Sequence, residues 1–338
     1  MIRRALAAGG VAALAVAAVA VGRVARRGGD RILRAPRTLP DEAALAPALD
    51  ALGGEVVRLR SRDGLRLTAR WLDADRPAEA AGSDPWVPDP REAILLLHGY
   101  SGSVAPDLVE FGPFLRRTAG VLGLDFGGHG GSDGAPTTFG LRETEDVAGA
   151  LAWLGERGIR RVALFGTSMG GMTAISATAV LGDGRLPAAD ATPDAPATTD
   201  EAPRPRIVGI VAESVAPELR VVVASRLPGP AGGLLADRIL DAVARDVGDD
   251  LRSLEPIRTL PLLEDLPVLL IHGGSDRTIP LEAGRRLAAA GGPGVEQWIV
   301  DGADHSRSHT EDPAAYETMV DRFLRTAFGS ARDESPGR

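Results

Sequence analysis

The sequence predicts an α/β fold, a mostly parallel eight-stranded sheet with helices on both faces. Three observations carry that expectation. Short apolar runs alternate with helix-like patterns over most of the chain, as a parallel sheet built from strand–helix units requires. One run, "EAILLLHG", has five consecutive apolar residues before its closing His-Gly, the pattern of a strand covered on both faces. A period-two stretch, "EVVRLRSRDGLRLTARWLD", is split by Asp63-Gly64, which predicts a hairpin and hence an antiparallel N-terminal edge.

The N-terminus differs from the rest. "MIRR" precedes Ala5–Gly22, 18 residues without a charge, and arginines 23, 26, 27, 31 and 34 follow. A run of that length is near the shortest that crosses a bilayer. The arginines on its C-terminal side favour a membrane anchor with the remaining chain in the cytoplasm. A secretory signal peptide, with Ala18-Val19-Ala20 as cleavage signal, is the alternative, and an Ala-rich helix lying on the domain is a third reading. Residues 1–34 are therefore expected to be an anchor or signal segment, and 35–54, with three prolines, a linker.

From residue 55 the elements follow in order. After the hairpin, residues 73–91 read as a polar, proline-rich loop. Strands are expected at 92–98, 120–125, 161–165, 207–212, 267–271 and 295–300. Helices are expected at 141–157 with Thr138 as cap, 169–181, 281–290 and 313–328, with two helical patterns inside 217–246. Gly182–Arg206, rich in Pro, Ala, Asp and Thr, is expected to be a disordered surface insertion. The catalytic domain is expected to span 55–329, and 330–338 to form a flexible tail.

Composition narrows the chemistry. The net charge of −8 argues against nucleic acid as a partner. There is no cysteine, so disulfides and thiolate chemistry are absent. All 38 basic residues are arginine, so the usual phosphate loop, which needs lysine, is missing. No histidine pair has zinc spacing. No cofactor or metal is expected.

What remains is Gly166-Thr167-Ser168-Met169-Gly170, between a β-type run and a helical one. Serine between glycines at a strand-to-helix corner is the G-x-S-x-G nucleophile elbow. A serine hydroxyl needs a base, and the base needs an orienting acid. In this architecture the chain order is Ser, acid, His. Two histidines lie late enough: His305, just after the last strand, is taken as the base, and His309 as a solvated neighbour. Asp276, in the loop after "PVLLIHG", is taken as the acid over Asp301 and Asp304, because catalytic groups gather at the C-terminal ends of parallel strands. The oxyanion donors are expected to be the N–H groups of Met169 and Tyr100, with Ser101 as fallback. His98, His129 and His272 read as structural.

"HGYSG", "LDFGGHGGSDG", "GTSMGG", "LLIHGGSDRTIP" and "GADHS" together resemble the α/β-hydrolase superfamily, over about Glu55 to Phe328. The chain is most similar to single-domain members related to Bem46-like proteins and the prolyl-oligopeptidase catalytic domain. The resemblance implies a serine hydrolase without cofactor, acting on a small-molecule acyl substrate, with a small cap or none, a helical pair at most. An ester is the expected bond. Peptidase, thioesterase and acyltransferase chemistry use the same machinery, and a non-catalytic membrane-tethered binding module is the rival from another class.

Overall fold

The computed structural model describes residues 23, 26–38, 41–75, 86–100, 102–182, 204–227 and 232–333, with the side chain of residue 234 left aside. The apolar run at 5–22, the fallback Ser101 and most of the 182–206 insertion lie outside the described residues.

Among the described residues eight strands form one sheet: β1 Glu55–Arg60, β2 Arg66–Leu72, β3 Glu92–Leu97, β4 Gly120–Asp125, β5 Arg161–Thr167, β6 Arg206–Glu213, β7 Val268–Gly273 and β8 Val295–Val300. Their spatial order is β1-β2-β4-β3-β5-β6-β7-β8. β2 pairs antiparallel with both β1 and β4, and every other pairing is parallel. The Asp63-Gly64 turn sets the register of the first pair, from Glu55 opposite Trp71 to Arg60 opposite Arg66. β3, β4, β5 and β7 are buried along their whole length, which explains why they read as continuous apolar runs rather than alternating ones.

Helices cover both faces. α1 occupies residues 26–33, and the others are α2 Ala46–Leu52, α3 Ala105–Leu115, α4 Glu143–Glu156, α5 Met169–Leu181, α6 Leu219–Ala224, α7 Gly232–Val247, α8 Pro256–Thr259, α9 Leu281–Ala290, α10 Ser308–Glu311 and α11 Pro313–Asp333. One core joins the sheet to α4, α5, α7 and α9 through residues such as Leu151, Ile175, Val243 and Leu287. The other joins its opposite face to α3 and α11 through Phe111, Phe114, Tyr316 and Phe328. α6 and α7 follow β6 as a helical pair in contact with each other, the small cap the sequence allowed.

Several boundaries differ from expectation. The stretch expected to be a linker carries a 3-10 turn at Glu42–Leu45 followed by α2, and Leu52 packs against the α3 face; Pro47 starts a helix here instead of interrupting one. Residues 26–33, expected within the anchor segment, form α1, with Leu33 buried in the core. α3 was not legible because Pro106 and Pro113 mask it: Pro106 occupies its first turn, and Pro113 lies near its end, where its missing N–H removes one bond only. The last helix runs on to Asp333 with Ala331 buried, so the expected tail from residue 330 begins as helix. The insertion is shorter than expected at both ends. Gly182 caps α5 by donating its N–H to the Thr178 carbonyl, and Arg206 already pairs with Arg161 in the sheet.

Candidate active site

β5 runs into α5 with no loop between them, and Ser168 is the corner residue. Its φ of 49° and ψ of −109° lie in a region that costs a non-glycine residue energy. The flanking glycines make the corner sterically feasible. A Cβ on Gly166 would lie 2.3 Å from the carbonyl carbon of Gly170, and one on Gly170 would lie 2.0 Å from the Leu97 carbonyl oxygen. The Ser168 N–H donates to the Glu213 carbonyl at 2.7 Å, fixing the corner to the end of β6. Its side chain is thereby left projecting from the turn, at the C-terminal edge of the sheet.

His305 comes from the loop after β8. Its Nε2 is 3.0 Å from Ser168 Oγ, and its Nδ1 is 2.8 Å from Asp276 Oδ2. Asp276 sits in the loop after β7 and is 7 % exposed. Its Oδ1 accepts from the N–H groups of Thr278 and Ile279 at 2.8 and 2.7 Å. Burial pushes this carboxyl up, but the hydrogen bond and charge of His305, with the two amides, outweigh it and hold it below the ordinary carboxylate value. The carboxylate is thus ionised and fixes the imidazole with Nδ1 protonated, leaving Nε2 free to accept from serine.

The rival residues are occupied elsewhere. Asp304 forms an ion pair with Arg277 and accepts from the N–H groups of Arg277 and His305 at 3.0 and 2.8 Å. It shapes the loop that carries the histidine. Asp301 is exposed. His309, expected to be a solvated neighbour, is instead enclosed by Phe111, Phe114 and Tyr316, with Nδ1 3.1 Å from Glu110. His98 is fully buried, which lowers it to about 3. Its Nδ1 donates to the Gly99 carbonyl at 2.7 Å while Nε2 accepts from Phe126 N–H at 3.3 Å, a structural role. His129 lies 3.1 Å from the Gly127 carbonyl and His272 2.9 Å from that of Ile279, likewise as expected.

Of the expected oxyanion donors, Met169 directly follows the serine and Tyr100 directly follows Gly99. Met169 opens α5, and the first amides of a helix have no partner within it. The loop carrying Tyr100 follows β3 and passes close by: a Cβ on Gly99 would sit 3.7 Å from Ser168 Cβ. A groove of about 730 Å³ lined by Arg58, Arg66, Thr68 and Trp153 lies at the β1–β2 edge and shares no residue with this constellation.

The brace beneath the site escaped sequence reading. Glu213, at the end of β6, is 1 % exposed. It accepts from the Ser308 N–H at 3.0 Å and from the Tyr316 hydroxyl at 2.8 Å. The next residue, Ser214, accepts the Ser306 N–H on its Oγ at 3.0 Å. These bonds tie the histidine loop to the strand end that also holds Ser168. The available signal was a lone carboxylate closing the apolar run "RIVGIVAE".

Residues 94–318 match the family described as "Alpha/beta hydrolase family". YqkD of Bacillus subtilis is 28% identical over 239 residues, 70% of this chain and 72% of that protein. Rv2307c of Mycobacterium tuberculosis is 27% identical over 292 residues, 85% and 83% of the two chains. Human ABHD12B is 31% identical over 168 residues, 49% of this chain and 40% of that protein. Among solved structures, the esterase Pf2001 of Pyrococcus furiosus superposes with a TM-score of 0.59 at 20% identity, covering 88% of this chain and 98% of that one. A thermophilic esterase from Thermogutta terrifontis gives 0.51 at 18% identity, covering 81% and 99%. At these identities the structural likeness shows the fold.

Proposed function

The chain belongs to the alpha/beta hydrolase family, and from that premise we propose that it is a serine hydrolase of carboxylic esters. The observation that carries this is the continuous hydrogen-bonded line from Ser168 Oγ through His305 to Asp276, at 3.0 and 2.8 Å. Ser168 Oγ attacks the acyl carbonyl while its proton passes to His305 Nε2. Asp276 stabilises the resulting imidazolium. The N–H groups of Met169 and Tyr100 hold the oxyanion of the tetrahedral intermediate. Collapse breaks the bond to the alkoxide, which takes the proton from His305 and leaves as alcohol. Water then repeats the cycle on the acyl-enzyme: His305 takes its proton, the hydroxide oxygen forms the new bond to carbon, and Ser168 Oγ recovers the proton as the acid departs.

Two esterases share the fold, and this supports an ester as the bond. The proposed substrate is a small acyl compound. The chain is further proposed to associate with membranes through residues 5–22, which lie outside the described residues. Ser168→Ala is expected to abolish turnover of a short p-nitrophenyl ester and labelling by a fluorophosphonate probe. A wild-type protein that neither turns over the ester nor takes up the probe would overturn the reading.

A further inference from the structure

An amide that serves an oxyanion must be held to within about half an ångström of its working position, and loops rarely provide that rigidity alone. The loop after β3 is held from outside by the N-terminal segment. The Tyr100 hydroxyl donates to the carbonyls of Arg31 and Ile32 at 2.8 and 3.2 Å. Its ring stacks on Phe139, centroids 5.1 Å apart and planes 9° from parallel. Burial raises the phenol above its ordinary value, so it stays protonated and donating at neutral pH. The backbone continues the contact. Gly102 N–H donates to the Pro36 carbonyl at 2.7 Å, Gly130 N–H to that of Arg37 at 2.8 Å, and Thr137 N–H to that of Leu33 at 2.9 Å.

α1 is seated in turn on the cap. A Cβ on Gly28 would meet Ile239 at 3.0 Å, and one on Gly29 would meet Val243 at 2.9 Å, both residues of α7. The two glycines let the helices approach closely, and Leu33 closes the contact in the core. The segment therefore links three parts that come together only in the tertiary structure: the loop beside the nucleophile, the loop after β4 and the cap.

We propose that α1 is a strap on the oxyanion loop and that Tyr100 is the positioning residue through which it acts, so that residues 26–37 belong to the active site. This rests on the serine hydrolase reading above. The phenol anchors the far end of the Tyr100 side chain, which fixes the Cα–Cβ direction and with it the peptide plane whose N–H faces the oxyanion.

The test uses the full chain and two variants acting from opposite sides of the contact. Tyr100→Phe removes the hydroxyl and keeps the ring. Gly29→Leu cannot keep α1 against Val243 and leaves Tyr100 in place. Each is expected to lower kcat for a p-nitrophenyl ester about tenfold, about 1.4 kcal/mol, with KM unchanged within about twofold. Affinity for phenylboronic acid, a tetrahedral mimic, is expected to fall in parallel, because the lost interaction belongs to the transition state. The double variant is expected to be no slower than the worse single, since both break one linkage. Wild-type kcat in Tyr100→Phe would overturn the strap, as would lost kcat with unchanged boronate affinity, or losses that multiply in the double variant. If Gly29→Leu fails to fold, Tyr100→Phe decides alone through the kcat and boronate pair. A wild-type chain with neither turnover nor fluorophosphonate labelling would instead sink the hydrolase reading itself.

Discussion

Ser168 holds a left-handed backbone that only its surroundings can enforce, and the strictest of those surroundings is Gly170. A methyl group there would occupy the Leu97 carbonyl oxygen, backbone that cannot move without separating β3 from β5. Gly170→Ala is therefore expected to destabilise the fold by at least about 3 kcal/mol, read as the denaturation midpoint. The two aspartates near His305 separate by role at the same scale. Asp276→Asn leaves an amide that no longer enforces the productive tautomer, so kcat is expected to fall by a factor on the order of 10⁴ with the fold intact. Asp304→Asn weakens only the Arg277 pair and the loop amides, and less than about tenfold is expected. The depressed Asp276 carboxyl has a sign as well. Its hydrogen bonds to His305 and to the two amides stabilise the fold above its ordinary value of 3.8, and that contribution is lost as pH falls below it. The stability difference between wild type and Asp276→Asn should shrink in that range, as thermal melts below pH 4 would record.

At the scale of elements, the site depends on how the ends of β5, β6, β7 and β8 are held relative to one another. Glu213 is the main link, because its backbone carbonyl receives Ser168 N–H and its carboxylate receives Ser308 N–H and the Tyr316 hydroxyl. Burial raises its carboxyl above the ordinary value of 4.5, against the pull of those donors. A carboxyl raised in the folded state contributes stability below its unfolded value and loses it as pH rises through the folded one. Glu213→Gln removes that loss, so its stability relative to wild type is expected to rise with pH above 4.5, measured by paired thermal unfolding. Tyr316→Phe deletes one buried hydrogen bond and should cost about 1–2 kcal/mol, without a change in the pH dependence of kcat.

At the scale of the molecule, the N-terminal segment decides where the protein can be cut. Sequence reading places the boundary of the soluble part at residue 35, yet α1 at 26–33 is docked on α7 and on Tyr100. Among the described residues no helix is long and apolar enough to cross a membrane, and the proposed membrane association rests on 5–22. A chain of residues 23–338 is expected to leave the membrane fraction and keep its turnover, whereas 39–338 is expected to leave it with kcat reduced about tenfold or more. Equal distribution of 1–338 and 23–338 on fractionation would remove the case for an anchor.

By itself the sequence determined the local features and their order. The hairpin follows from Asp63-Gly64, the buried strands from continuous apolar runs, and the elbow from glycines whose need is steric and therefore written into residue type. The pairing of Ser168, Asp276 and His305 was legible because the chain order of a parallel sheet assigns each loop to one edge. α3 stayed hidden because prolines at a helix end are harmless only once the end is placed. α1 and α2 were read as anchor and linker because their few apolar residues gain burial only against α7, α3 and the cores already assembled. Glu213 and Tyr100 show what tertiary structure alone decided: each acts through groups far away in sequence, at Tyr316 and Ser308 or at Arg31 and Ile32. Such contacts leave no periodicity or spacing to read, since they exist only where the folded backbone brings the donors and acceptors within hydrogen-bond reach.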